Sequence, residues 1–260
     1  MSTSDAISAD GPDPGADPAL RVAVVTGGSR GIGRSVAARL AADGYAVVIG
    51  YAGREDLAKQ TVAEIESTGG QATAMRADVA DEQAVARLFD EAEARFGGID
   101  AVVNCAGKMS LATVADLDLS VLDDVHRVNI RGTFVVAQQA ARRLRTGGAL
   151  ITFSTSVVGT AFPTYGAYAA SKGAVEALTL ILARELRGRD VTVNSIAPGP
   201  TATEMFLDGK SEELIARLAA QSPLERLATP EDIAEVVAFL AGRSGHWVNG
   251  QVIRANGGMI

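Results

Sequence analysis

Apolar residues fall into two alternating patterns along this chain. From Arg21 onward, short β-branched runs alternate with longer stretches in which apolar residues recur every three or four positions. The short runs predict strands at Val22–Thr26, Ala46–Tyr51, Gln71–Arg76, Ala101–Asn104, Ala149–Phe153, Val191–Ile196 and Gln251–Arg254. The longer stretches predict helices over Ile32–Ala42, Glu55–Ser67, Glu82–Phe96, Leu119–Leu144, Tyr168–Leu186 and Pro230–Leu240. Regular strand–helix alternation implies right-handed βαβ crossovers. The fold class is therefore α/β, a single-domain, Rossmann-like, doubly wound parallel sheet with helices on both faces. One domain over residues 21–260 accounts for the pattern, without an internal repeat. Residues 203–222 interrupt the alternation with two short helical pieces, and such an insertion is expected to lie over a ligand.

Composition adjusts this picture at the N-terminus. Residues 1–20 carry Asp5, Asp10, Asp13 and Asp17, three prolines and no basic residue, which predicts a disordered extension. Elsewhere the composition is that of an ordinary globular protein, with 47% hydrophobic residues in 260. A net charge of -7 argues against nucleic-acid or anionic-membrane partners. No apolar run approaches the ~18 residues of a membrane-spanning helix, and no signal peptide is visible. One cysteine cannot form an intrachain disulfide, which fits a cytoplasmic location. Two histidines and one cysteine leave little material for zinc, and no metal site is expected.

The first predicted strand runs into Thr26-Gly27-Gly28-Ser29-Arg30-Gly31-Ile32-Gly33, and a helix follows. Glycines there allow a tight turn and let a pyrophosphate approach the backbone, while the helix N-terminus offers N–H donors. A dinucleotide is the expected ligand. An NAD site usually has a carboxylate at the end of the second strand, for the ribose 2′-hydroxyl. Tyr51 occupies that place, with Arg30 and Arg54 nearby, and guanidinium groups suit a 2′-phosphate. The expected cofactor is NADP(H).

In these residues, and from about Arg21 to Ile260, the chain resembles the short-chain dehydrogenase/reductase family, in its single-domain, 3-oxoacyl reductase-like branch. The glycine loop is similar to the family's cofactor loop. Asp78-Val79 resembles the pair at the adenine ring, and Asn104-Cys105-Ala106-Gly107 resembles the family's Asn-Asn-Ala-Gly with Cys105 as a departure. Cys105 is expected to be a buried small hydrophobe. Tyr168-Ala169-Ala170-Ser171-Lys172 matches Tyr-x-x-x-Lys, and Asn194–Gly199 matches the segment that leads to the nicotinamide through Pro198 and Gly199. Thr203 resembles the threonine beside the nicotinamide carboxamide or pyrophosphate. Near the C-terminus the family more often has Asp where this chain has Asn256, an exchange expected to affect local structure rather than chemistry.

Tyr168 and Lys172 are one helical turn apart, so both project from one helix face. A neighbouring ammonium is expected to lower the tyrosine pKa and fit it for general acid–base work. The pair follows a strand that ends in Ser154-Thr155-Ser156, which places it at the carboxyl edge of the sheet. Ser154 and Ser156 compete for the substrate-holding role. The following Val157-Val158-Gly159 resembles the family and favours Ser156. Tyr165 competes with Tyr168 but lacks a lysine four positions on. The resemblance implies that Ser156 holds the substrate oxygen, Tyr168 exchanges its proton, and Lys172 binds the nicotinamide ribose. It also implies that Asn129 supports a water next to the lysine.

The expected activity is hydride transfer between NADP(H) and a carbonyl or alcohol substrate, such as a 3-oxoacyl thioester, ketone or sugar. Two other readings stand beside it: a non-catalytic dinucleotide sensor on the same fold, and a nucleotide-sugar epimerase, which the chain is too short to match well. Arg142, Arg143 and Arg145 are candidates for a carrier-protein patch. The resemblance implies a homotetramer, with Ala174, Leu178 and Leu182 available either for an interface or for packing on the sheet. His126 and His246 are expected to be solvated or structural, and Trp247 to lie in the core or an interface.

Overall fold

The computed structural model describes residues 20–260, so the expected acidic extension lies outside the described residues except for Leu20. The elements follow in order: β1 (Arg21–Thr26), α1 (Gly31–Ala42), β2 (Tyr45–Tyr51), α2 (Glu55–Ser67), β3 (Gln71–Arg76), α3 (Glu82–Phe96) and β4 (Ile99–Asn104). Next come α4 (Leu119–His126), a π-helical turn (Arg127–Arg131), α5 (Gly132–Arg143), β5 (Leu144–Phe153), α6 (Val157–Thr160) and α7 (Gly166–Glu185). The described chain closes with β6 (Thr192–Pro198), α8 (Glu204–Leu207), α9 (Glu212–Ala219), α10 (Pro230–Ala241) and β7 (Val252–Ala255). The seven strands form one sheet in the order β3-β2-β1-β4-β5-β6-β7, and every pairing is parallel.

Side chains alternate across each strand, so each strand feeds two cores. Val22 and Val24 of β1 face a layer with Leu88 and Phe89 of α3, Val136 of α5 and Leu182 of α7. Ala23 and Val25 face the opposite layer, with Val36 and Leu40 of α1, Ile65 of α2 and Ile233 and Val237 of α10. Both faces are therefore covered, which explains the unbroken apolar runs Val22–Val25 of β1 and Ala46–Ile49 of β2.

Helix starts are fixed locally. Asp81 caps α3 by accepting from the Gln83 and Ala84 amides. Thr229 and Asp232 form a capping box at α10, with Pro230 in the first turn.

Several predicted boundaries shift, two of them in helices that bear on the site. The single helix expected over Leu119–Leu144 is broken by the π turn, and it ends at Arg143 because Leu144 already pairs with Ile99 of β4. Helix α7 begins at Gly166, two residues before the expected start.

Strand order reverses between β1 and β4, because β1 leads outward to β2 while β4 leads the other way to β5. The crevice at such a switch point, beyond the carboxyl ends of the strands, is where open α/β sheets bind ligands.

Candidate active site

A cleft of about 430 Å³ opens at that switch point. Its first wall is the β1–α1 loop. Gly27 has φ +65°, and a Cβ there would meet the Ala106 amide nitrogen at 2.8 Å. Gly33 is tighter still, since a Cβ would lie 2.2 Å from the Gly27 carbonyl oxygen. Helix α1 has no side-chain cap at Arg30, unlike α3 and α10, so its first amides are left for an outside acceptor. Ser29, Gly31 and Ile32 line the same loop, and Thr203, the N-cap of α8, packs directly over Gly31. This cradle fits a dinucleotide pyrophosphate.

Further along the cleft lie Tyr51, Arg54, Asp78 and Val79, the residues expected at the adenosine end. No carboxylate ends β2, as expected, yet both arginines already have partners. Arg54 forms a two-pronged pair with Asp56 at 3.0 and 2.9 Å, and Arg30 reaches Glu204 at 2.8 Å. These pairs are exposed, and exposed pairs exchange partners at little cost. Asp78 accepts from the Ala80 amide and from Arg127 at 2.8 Å. Partial burial opposes the shift, but these two contacts hold its carboxyl below the usual range.

Asn104 ends β4 and accepts from Thr26 Oγ1 at 2.6 Å, which locks the β1–β4 seam. Ala106 and Gly107 follow as bare backbone on the cleft floor. Cys105, half-buried rather than buried as expected, lines the cleft while packing on the apolar layer, and desolvation pushes its thiol up, away from reactivity.

The catalytic candidates meet at the other end. Tyr168, Lys172 and Ser156 all line the cleft. Lys172 is 4% exposed, and its Nζ donates to the Phe153 carbonyl at 2.8 Å. Asn129 is fully buried in the π turn. Its Oδ1 accepts from the Lys108 amide, while its Nδ2 donates to the Lys108 carbonyl and to Ser171 Oγ. A Cβ on Gly107 would lie 3.5 Å from both Asn129 Oδ1 and Lys172 Nζ, so these two groups flank one point in the floor. Ser154 lines the cleft as well, but its Oγ donates to Glu176 of α7 at 2.6 Å, whereas Ser156 has no carboxylate partner. Tyr165 lines the cleft too, packed on Phe162 in the outer wall.

One expectation fails. The Tyr168 phenol is not lowered by Lys172 but pushed up to about 12 by burial, with Thr155 working weakly against it. Burial also pushes the Lys172 amine down to about 8. Its Nζ is 5.8 Å from the Tyr168 ring centre, and the same desolvation penalises both charges.

Comparison with known proteins identifies the family. The profile of a family described as Enoyl-(Acyl carrier protein) reductase matches residues 27–260. A protein of Picea abies named "Short-chain type dehydrogenase/reductase" is 45% identical over 250 residues, 92% of each chain. The chain belongs to the short-chain dehydrogenase/reductase family. An Arabidopsis thaliana protein named "NADPH-dependent aldehyde reductase-like protein, chloroplastic" is 41% identical over the full length of both chains. A solved short-chain dehydrogenase of Burkholderia cenocepacia J2315, in complex with NADP, superposes with a TM-score of 0.87 at 38% identity. That match covers 92% of this chain and 97% of the other.

Within this short-chain dehydrogenase/reductase, several site residues escape the sequence reading. Arg127 holds Asp78 from the π turn, and Phe153 offers its carbonyl to Lys172. Met109, Phe162, Met205, Phe206, Leu218 and Met259 build an apolar outer wall. Asn256 was singled out, but without its partner. Expected to matter only locally, it donates from Nδ2 to Ser156 Oγ at 3.0 Å. The suggested carrier-protein patch does not form at the cleft. Arg142 and Arg143 end α5 and Arg145 begins β5, at the opposite end of the sheet from the cleft, where Arg143 pairs with Asp90 and Glu93 and Arg145 with Asp100. Leu178 and Leu182 pack on the sheet. Trp247 is fully exposed rather than in the core. His246 pairs with Asp190 away from the cleft, and no metal cluster exists among the described residues.

Proposed function

We propose that the protein is an NADP(H)-dependent carbonyl reductase acting on an uncharged, largely apolar aldehyde or ketone. The convergence of Tyr168, Lys172 and Ser156 on a cleft that also holds the glycine cradle carries this reading. Two further facts support NADP(H): the name of the Arabidopsis relative and the NADP complex of the Burkholderia one. The methionine and aromatic outer wall favours an apolar carbonyl over a sugar, because a sugar needs polar partners that this wall lacks.

In this reading Gly27, Ser29, Gly31, Ile32 and Gly33 hold the pyrophosphate, and Tyr51, Arg30 and Arg54 face the 2′-phosphate. Asp78 and Val79 flank the adenine. Asn104, Ala106 and Gly107 shape the floor, and Pro198, Gly199 and Thr203 flank the nicotinamide end. Bound NADPH supplies the hydride. Ser156 donates a hydrogen bond to the substrate carbonyl oxygen, and Tyr168 passes its phenolic proton to the alkoxide that forms there. A phenol near 12 stays protonated throughout the neutral range, which suits the reductive direction. Lys172 holds the ribose, and Asn129 orders the water next to the lysine. The lone Cys105 fits a reducing compartment such as the cytoplasm. The exposed apolar side chains of α5 and α7 fit assembly with further copies, as a homotetramer.

The test is NADPH oxidation across a panel of aldehydes, ketones, 3-oxoacyl thioesters and sugars. Apolar carbonyls are expected to turn over best, and Tyr168→Phe to lower kcat by about 10²-fold or more while NADPH binding persists. NADH is expected to bind more weakly, and Arg54→Ala to weaken NADPH alone. Equal affinity for the two cofactors would sink the NADP(H) choice. Tight NADPH binding without turnover of any carbonyl would favour the dinucleotide sensor.

A further inference from the structure

We infer that Asn256 is a positioning residue for Ser156, and that its amide keeps the serine proton available to the substrate oxygen. This rests on the reductase reading above.

Asn256 follows β7 and is 7% exposed. Its Oδ1 accepts from the backbone amides of Gly258 at 3.0 Å and Met259 at 3.2 Å. Backbone amides can only donate, so the oxygen edge of the side chain must face them. The NH2 edge must then face Ser156, where Nδ2 donates to Oγ at 3.0 Å. The orientation thus follows from donor and acceptor chemistry and does not depend on telling nitrogen from oxygen.

Ser156 has one proton, which it gives to the Ala197 carbonyl in a long bond of 3.2 Å. A substrate carbonyl oxygen can only accept, so it must draw that proton away from Ala197. The amide of Asn256 presents only donors to the serine and cannot compete for it. It also fills one lone pair of Oγ, which holds the oxygen in place while the proton turns. A carboxylate at this position would accept from the serine and capture the proton. It would also bring negative charge toward the oxygen on which negative charge develops.

The backbone is shaped for this contact. A Cβ on Gly199 would lie 2.9 Å from Asn256 Cα, so glycine at 199 is what lets the end of β7 approach β6 and the serine. The turn that Asn256 closes also carries Met259 into the cleft wall.

The test uses the full chain with NADPH and the best carbonyl of the panel. The variants are Asn256→Asp, Asn256→Ala and Ser156→Ala, together with each Asn256 change combined with Ser156→Ala. At neutral pH, Asn256→Asp is expected to lower kcat by about ten-fold or more, as loss of a transition-state donor does. Its KM for NADPH should be unchanged. Its kcat should recover as pH falls, because a protonated carboxyl can donate again. Asn256→Ala should lose less and show no such recovery. In the Ser156→Ala background, neither change should cost anything further. Additive losses in the double variants, or equal losses in Asp and Ala with the wild-type pH profile, would overturn the inference and leave Asn256 as a turn former only. Thermal unfolding identifies a variant that fails to fold. If Asn256→Asp is one, the Asn256→Ala cycle decides on its own. Absence of wild-type turnover would instead overturn the reductase reading.

Discussion

Lys172 shows at the level of one side chain what the site costs the fold. Its amine is buried, has the Phe153 carbonyl as a partner, and is pushed from 10.5 down to about 8 by desolvation. The unfolded chain therefore binds this proton more tightly than the folded protein does. The cost is fully present below about 8 and fades as pH rises toward 10.5. At neutral pH it amounts to about 3 kcal/mol. Lys172→Met should remove that cost, lose about 1 kcal/mol for the abandoned carbonyl, and raise stability by about 2 kcal/mol while ending turnover. Thermal unfolding of both proteins across the neutral to alkaline range checks this. The gain should shrink as pH rises, and a less stable variant at neutral pH would refute it. Among single residues, Tyr168, Lys172, Ser156 and Asn129 were legible because their spacing and flanking residues carry the pattern. The tyrosine pKa was not, since desolvation depends on what covers the phenol. Asn256 was not either, because its partner Ser156 lies 100 positions away. Asp56, two residues from Arg54, was close enough to have been found.

At the level of elements, the π turn between α4 and α5 is the feature that helical periodicity could not show. It displaces one residue from the regular ladder and points Asn129 inward, where its amide meets both polar groups of Lys108 and the Ser171 hydroxyl. The Asn129 carbonyl also accepts from Thr133 Oγ1 at 2.7 Å, which ties the turn to α5. An asparagine between Val128 and Ile130 was the one local hint, since asparagine disfavours helix interiors. Asn129→Ala should leave the Lys108 amide and carbonyl without their side-chain partner and cost about 1–3 kcal/mol. The denaturant midpoint is the measurement, and an unchanged midpoint would show that the π turn holds Lys108 by other means. Strands were the better-read elements. Every one predicted is present, because β-branched runs buried on both faces leave little ambiguity. The largest departure in extent is β5, whose start at Leu144 is hidden by Gly147 and Gly148, residues that read as a loop.

Across the whole molecule, large apolar side chains remain outside. Phe134 of α5 is 52% exposed, Leu180 and Ile181 of α7 are 43% and 54%, and Trp247 near β7 is 100%. These groups lie on two faces of the molecule, α5–α7 and the β7 edge, so they suit a closed assembly with two kinds of contact. Light scattering should report a mass four times 26.8 kDa, and Leu180→Asp with Ile181→Asp should reduce it to half or less. A wild-type mass of one chain at micromolar concentration would exclude the assembly. All seven strands run the same way, so everything chemical gathers at one rim of the sheet. At the other rim the chain merely reverses, at turns such as Gly69 and Gly188, where even an added side chain would meet nothing. One rim is thus answerable to chemistry and the other only to connection. Lineages can lengthen, recharge or decorate the second without renegotiating the first.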